Sequence, residues 1–186
     1  MRVKDVVSVA LFAALIASLG FVPAIPLPLI PVPITAQTLG VMLAGAILGA
    51  KRGFFACIVF LILVAAGLPL LSGGRGGISS FFSPATGYLI GFPFSAWVIG
   101  AFYALFRNHL TPLKEWIALI IGGILVEHAI GTIWMAHMLN ISYGKALLGD
   151  FLFIPGDGLK VALAYFIVST LRKALPDLFS HHFPRA

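Results

Sequence analysis

The sequence predicts an all-α membrane protein of six transmembrane helices, and three observations predict it. First, 60% of the 186 residues are hydrophobic and only 10% are charged, with a mean hydropathy of +1.07. A soluble domain carries about 25% charged residues, and one of this size must still cover a wide wet surface. The solvent for much of the chain is therefore lipid. Second, six apolar runs approach the roughly 20 residues that a spanning helix needs. Third, the basic residues fall in short clusters between those runs, on alternate connections.

The six runs lie near 5–24, 35–50, 54–71, 84–106, 116–139 and 151–171. The first starts basic and turns apolar like a signal peptide, but the prolines from Pro23 onward and five further apolar runs favour a retained helix. The second is short and rich in Gly and Ala. Nine basic residues fall on one side: Arg2, Lys4, Lys51, Arg52, Arg107, Lys114, Arg172, Lys173 and Arg185. Arg75 and Lys145 fall on the other, and Lys160 lies inside the sixth run. Lys and Arg mark cytoplasmic loops, so both termini are expected in the cytoplasm. The net charge of +6 then belongs to a membrane edge facing anionic lipid and not to nucleic-acid binding. Cys57 is the only cysteine, which leaves no intrachain disulfide and no Cys/His zinc pattern.

The outer connections carry the unusual sequence. Pro23, Pro26, Pro28, Pro31 and Pro33 crowd the first. Each ring fixes φ and holds its predecessor extended, so a semi-rigid strap is expected, with a plain spacer as the simpler alternative. The second outer connection reads SGGRGGISSFFS. Its glycines let the backbone approach a ligand, and Arg75 is a fork of donors suited to a carboxylate. GxxxxGK[ST] is absent, so there is no P-loop.

Ionisable groups at membrane depth are functional hypotheses by default. Asp157 and Lys160 share a helical face at a spacing of three, about 9 Å and 13–14 Å below a helix start near Phe151. Pro155 and Gly156 before them loosen the first turn. A self-satisfied structural pair is the plainer reading. Glu127 and His128 lie about 16 Å into the fifth helix. There they are a deep site wall, a proton-coupling group, or simply hydrogen-bonded within the bundle. The stripe Gly123–Glu127–Gly131, with glycines on either side of the carboxylate, suits close helix packing. His128 and His137, nine apart, do not share a face, so no metal pair is expected. His181 and His182 read as solvated tail residues. Thr35, Gln37 and Thr38 open the second helix, Thr86 and Tyr88 open the fourth, and Tyr143 lies in the third outer connection. Each alone is an ordinary cap or interface residue. Together with Arg75, Asp157 and Lys160 they place most polar chemistry in the outer half, which points to capture of an external solute and not to a pore.

Three long stretches resemble one family. PVPITAQTLGVMLAGAILGAKRG (Pro31 to Gly53), GLPLLSGGRGGISSFFSPATGYLIGF (Gly67 to Phe92) and FIPGDGLK (Phe153 to Lys160) are similar, in that order, to signatures of the BioY family. These are biotin-specific substrate-binding (S) components of energy-coupling factor (ECF) transporters. One departure is the run Ser83–Pro84–Ala85–Thr86–Gly87–Tyr88, where the family pattern is of the Gly-Pro-Thr-Gly-Gly-Tyr type. The resemblance implies one integral-membrane, substrate-binding domain over 1–186 in the cytoplasmic membrane of a prokaryote. It implies six helices, an extracellular-side pocket capped by loops, no ATP chemistry, no cofactor or metal, and biotin as ligand. The implied partners are a transmembrane coupling protein and a pair of ATPase subunits.

Biotin's chemistry fits the inventory. Its ureido N–H groups suit Asp157, and Lys160 serves the ureido carbonyl or keeps Asp157 ionised. Its apolar body suits Tyr88, and its tail carboxylate suits Arg75 or the glycine-rich loop. Thr35, Gln37 and Glu127 complete the expected substrate-binding set. On the first helix, Ala10 and Ala14 share a face, as do Ala13 and Ala17. Ala10 and Ala14 best match the Ala-xxx-Ala face that the resemblance assigns to contact with the coupling protein. An S component for another water-soluble vitamin and a proton-coupled carrier using Glu127 are the alternatives. There is no internal repeat to support an inverted-repeat carrier. No motif ties Ser95 to His128, so an intramembrane enzyme has little support.

Overall fold

The computed structural model describes residues 2–28 and 30–175. Among them no strand forms and the architecture is all-helical. Six rods follow in order: α1 (Val3–Leu19), α2 (Gln37–Leu48), α3 (Ala50–Ala65), α4 (Thr86–Leu105), α5 (Pro112–Leu139) and α6 (Tyr143–Ala174). Three of these, α4, α5 and α6, are long and apolar enough to cross a membrane by length and composition. Arg185, His181 and His182 lie outside the described residues.

The rods differ from the expected spans at both ends. α1 stops at Leu19 and α3 at Ala65, earlier than hydropathy alone indicates. The apolar residues beyond them belong to outer loops, where Pro and Gly prevent helix continuation. α2 has 12 residues, about 18 Å at 1.5 Å per residue, too short to span unaided. It is the central rod, with every residue but Leu39 buried. A single residue, Gly49 at φ 80°, separates α2 from α3, so Lys51 and Arg52 lie in the first turn of α3 and not in a loop. α5 begins earlier than expected because Thr111 caps it by accepting the Lys114 N–H and Pro112 opens its first turn. Asn140, in the left-handed region at φ 52°, closes α5.

α6 departs most. It starts at Tyr143 and is continuous through a 3-10 turn at Phe151–Phe153. Tyr143 and Lys145 are thus helical, not part of a loop. Asp157 lies about 21 Å from the helix start, and the Pro155–Gly156 irregularity falls about three turns in. Pro155 follows the 3-10 turn directly, where its missing N–H breaks no regular ladder.

Packing relies on small residues, as it must where lipid removes most of the hydrophobic drive between helices. A side chain at Gly131 of α5 would strike the Tyr88 ring of α4, and one at Gly123 would strike Met42 of α2. The expected close-packing stripe is therefore in use. A π-helical turn, Ile121–Val126, widens α5 immediately before Glu127. Such turns occur frequently at functional sites, and here it sets the direction of Glu127 and His128.

One end of the bundle is held by ion pairs. Asp5 of α1 pairs with Arg52 of α3 at 2.9 Å. Buried Glu115 of α5 pairs with Arg172 of α6 at 2.5 Å and accepts the Tyr103 hydroxyl at 3.1 Å. At the other end, the proline-rich segment between α1 and α2 folds back on itself through paired Ile25–Ile34 backbone bonds of 2.9 Å. Its Ile30 and Val32 are buried against Tyr88, Met135, Ala146 and Phe153. The segment is a packed strap and not a spacer.

Candidate functional site

A cavity opens between the strap, the glycine-rich loop and the rods α2, α4, α5 and α6. It holds about 600 Å³ of atom-free space, mouth included, within the range of about 300–1,000 Å³ typical of small-molecule pockets. Each residue of the expected substrate-binding set lines it: Thr35, Gln37, Arg75, Tyr88, Glu127, Asp157 and Lys160. Val32, Leu71, Leu89, Phe92 and Phe153 provide apolar wall.

The expected Asp157–Lys160 pair forms, with Nζ of Lys160 2.8 Å from Oδ1 of Asp157. Both are buried, at 3% and 9% exposure. The pair is part of a longer chain of contacts. Nε2 of His128 lies 2.9 Å from Oδ2 of Asp157, and Nδ1 of His128 lies 2.8 Å from both Asp150 oxygens. The Tyr88 hydroxyl donates to Asp150 Oδ1 at 2.6 Å. Tyr88, His128 and Phe153 pack ring to ring, with centroids 5.6–5.7 Å apart. The Thr132 hydroxyl also bonds the His128 carbonyl. Asp150 sits behind the cavity wall and was not singled out from the sequence. Its signal was present, because it lies seven residues, two helical turns, before Asp157.

Glu127 is 2% exposed, and its Oε2 has no hydrogen-bond partner among the described residues. Thr38 Oγ1, also in the lining, is likewise unpartnered. A buried polar atom without a partner costs about 1–3 kcal/mol, so these two atoms are unspent hydrogen-bonding capacity on residues that line the cavity. Gln37 is different. Its amide nitrogen donates to the carbonyls of Ile16 and Leu70 at 3.2 and 3.1 Å, so its donors tie α1, α2 and the glycine-rich loop together.

That loop takes the backbone conformations expected of it. Gly73, Gly74 and Gly77 have φ of 69–83°, which L side chains rarely adopt. Arg75 is exposed, its Nε 3.3 Å from the Ser72 carbonyl. No carboxylate pairs with it among the described residues. At the departure from the expected family pattern, the Ser83 carbonyl takes the Trp134 indole N–H at 3.0 Å and the Ser83 N–H bonds Thr86 Oγ1 at 3.1 Å.

The model of the BioY family matches residues 1–177. The chain belongs to the BioY family. The biotin transporter BioY of Rhizobium etli is 47% identical over 169 residues, covering 88% of this chain and 90% of that one. The probable biotin transporter BioY of Bacillus subtilis is 41% identical over 175 residues, covering 94% of each. The crystal structure of the S-component for biotin from an ECF-type ABC transporter superposes with a TM-score of 0.92 at 38% identity, covering 98% of this chain and 96% of that one. The S component of a bacterial ECF transporter, at 17% identity and a TM-score of 0.59 over 95% and 98% of the two chains, shares the fold. BioY proteins are transporters, not enzymes.

The alanine faces of α1 separate clearly. Ala13 is buried against the bundle, whereas Ala10 and Ala14 are exposed. A shallow groove lined by Leu11, Phe12, Ala14, Leu15 and Ser18 runs along that outer face.

Proposed function

We propose that this chain is the substrate-capturing S component for biotin in the cytoplasmic membrane of a prokaryote, working as a single domain. The observation that carries this reading is the cavity that joins a buried Asp157–Lys160 pair to an apolar wall, with exposed Arg75 in the lining. Biotin has the matching order of groups. Its ureido N–H groups go to Asp157 and its carbonyl to Lys160, with Glu127 in the deep wall of the site. The sulfur ring and alkyl chain lie on Tyr88, Phe92 and Phe153. The tail carboxylate meets Arg75 or the N–H groups around it. Thr35 and Gln37 hold the α2 side of the site. Support also comes from relatives named biotin transporters at 41–47% identity.

The cavity opens outward and both termini lie inside. What supports this is the separation of charge. Arg52 and Arg172, both at basic-rich rod ends, are ion-paired at one end of the bundle. The strap, the glycine-rich loop and the cavity gather at the other. Import itself is done with a transmembrane coupling protein and ATPase subunits, docked on the exposed Ala10–Ala14 face.

Mass spectrometry of protein purified after growth with biotin is expected to find biotin retained. Asp157→Asn and Lys160→Ala are each expected to lower its affinity by more than about a hundredfold in calorimetry. Removing one partner of a buried pair costs about 3–5 kcal/mol. Near-native affinity in a folded variant removes the site assignment, and retention of a different vitamin removes biotin.

A further inference from the structure

His128 belongs to neither half of the expected Asp157–Lys160 pair, yet it reaches both carboxylates of α6. A neutral imidazole has one donor and one acceptor nitrogen. Here both nitrogens face carboxylate oxygens, at 2.8 and 2.9 Å. Two facing acceptors repel, so the chain Asp150–His128–Asp157 must hold a proton on each side of the ring. Three groups fix the ring from outside: the Asp150 carboxylate, itself held by Tyr88, and the Tyr88 and Phe153 rings. The ring's own α5 backbone is turned by the π-helical segment before it. Tyr88 lies on α4, His128 on α5, and both aspartates on α6. One imidazole thus joins three rods at the cavity wall.

The consequence lies in the orientation of Asp157. An ionised carboxylate offers about four lone pairs. Lys160 takes one on Oδ1 and His128 takes one on Oδ2. With both oxygens held, the carboxylate plane cannot turn, and one lone pair on each oxygen remains for a ligand N–H. Lys160 alone, on the same helix and at the end of a flexible chain, leaves that rotation free.

We infer that His128 is a positioning residue for specificity: clamped by Asp150 and Tyr88, it fixes the Asp157 carboxylate so that the site selects ligands with ureido N–H donors. This rests on the proposed reading of Asp157 as the ureido acceptor.

Two amides dissect the role, because the Asn side-chain nitrogen falls near the position of histidine Nδ1 and the Gln nitrogen near that of Nε2. His128→Gln keeps a donor for Asp157, and His128→Asn keeps only the bond to Asp150. Calorimetry compares biotin with a biotin dimethylated on both ureido nitrogens, which has no N–H to give. Native protein is expected to discriminate strongly. His128→Gln is expected to retain that discrimination within a few-fold. His128→Asn is expected to lose about tenfold or more of it, the worth of a charge-assisted hydrogen bond. A structural role would weaken both ligands alike and leave the ratio unmoved.

If native protein does not discriminate, the ureido reading of Asp157 falls and the inference with it. If native protein discriminates and His128→Asn does so equally, or if Gln loses the ratio while Asn keeps it, only the His128 assignment is overturned. Should neither variant fold, Tyr88→Phe carries the test. It removes the hydroxyl's bond to Asp150 while keeping the ring, and a several-fold loss of discrimination is expected. An unchanged ratio overturns the inference.

Discussion

At the scale of the residue, the cavity divides its charges by depth. Asp157 and Lys160 are buried and paired, where ionic contacts are little screened. Arg75 is exposed, and its Nε is committed to the Ser72 carbonyl, which leaves the outer guanidinium nitrogens for an anion. Arg75→Ala is therefore expected to weaken biotin by about three- to thirtyfold, the worth of a partly screened charged hydrogen bond. The same substitution is expected to change the affinity of biotin amide, which lacks the tail charge, much less. Equal losses in parallel titrations would place the tail elsewhere. Asp157 and Lys160 were legible because two ionisable residues three apart in an apolar run can hardly be an accident of composition. His128 was visible as an intramembrane histidine, but its role was not. Its partners lie 22 and 29 residues away, and only the placing of α5 against α6 brings them together.

At the scale of the element, α1 presents two alanine faces of the same spacing, and sequence periodicity does not tell inner from outer. Packing does. Ala13 and partly buried Ala17 sit on Cys57, Phe60 and Val64 of α3 and their neighbours, so Ala10 and Ala14 turn outward. Small residues let a partner's backbone approach closely, and an indole there would hold it off by several ångströms. Ala14→Trp is expected to abolish co-purification with the coupling protein and biotin uptake. Biotin affinity of the isolated subunit should remain within about twofold, a difference of less than 0.5 kcal/mol, since the exposed face does not line the cavity. Binding and complex formation lost together would mean that this face packs within the bundle. A variant that still co-purifies would place the docking surface elsewhere.

At the scale of the whole molecule, the proposed orientation rests on the separation of the basic end from the cavity end. Cys57 is fully buried, so the native chain gives little background to a thiol reagent. Arg75→Cys is expected to react with a membrane-impermeant maleimide added to intact cells. Lys51→Cys, exposed at the opposite end, is expected to react only after the membrane is opened. The reverse pattern would invert the topology. The ion pairs Asp5–Arg52 and Glu115–Arg172 bear on the same point. They show that several charges counted as loop charges are helix-end residues. This does not change which end of the bundle each charge is counted at, because a first or last turn lies at the same end as the loop beside it.

What the sequence determined by itself was local or compositional: the lipid-facing character, the number of rods, the shared face of Asp157 and Lys160, and the family. Hydropathy is summed along the chain, and signature runs are contiguous, so neither needs a third dimension. The ends of the rods escaped it, as with α6, because an apolar residue reads the same in a helix, a strap or a membrane-edge loop. Only the tertiary structure decided that the proline-rich segment folds over the cavity, that Ala10 and Ala14 face outward, and that His128 stands between Asp150 and Asp157. Each of these is a choice of partner across distant segments. Such a choice depends on how closely rods approach, and that is set by where glycines meet rings, as Gly131 meets Tyr88, and by the π-helical turn that re-aims one face of α5.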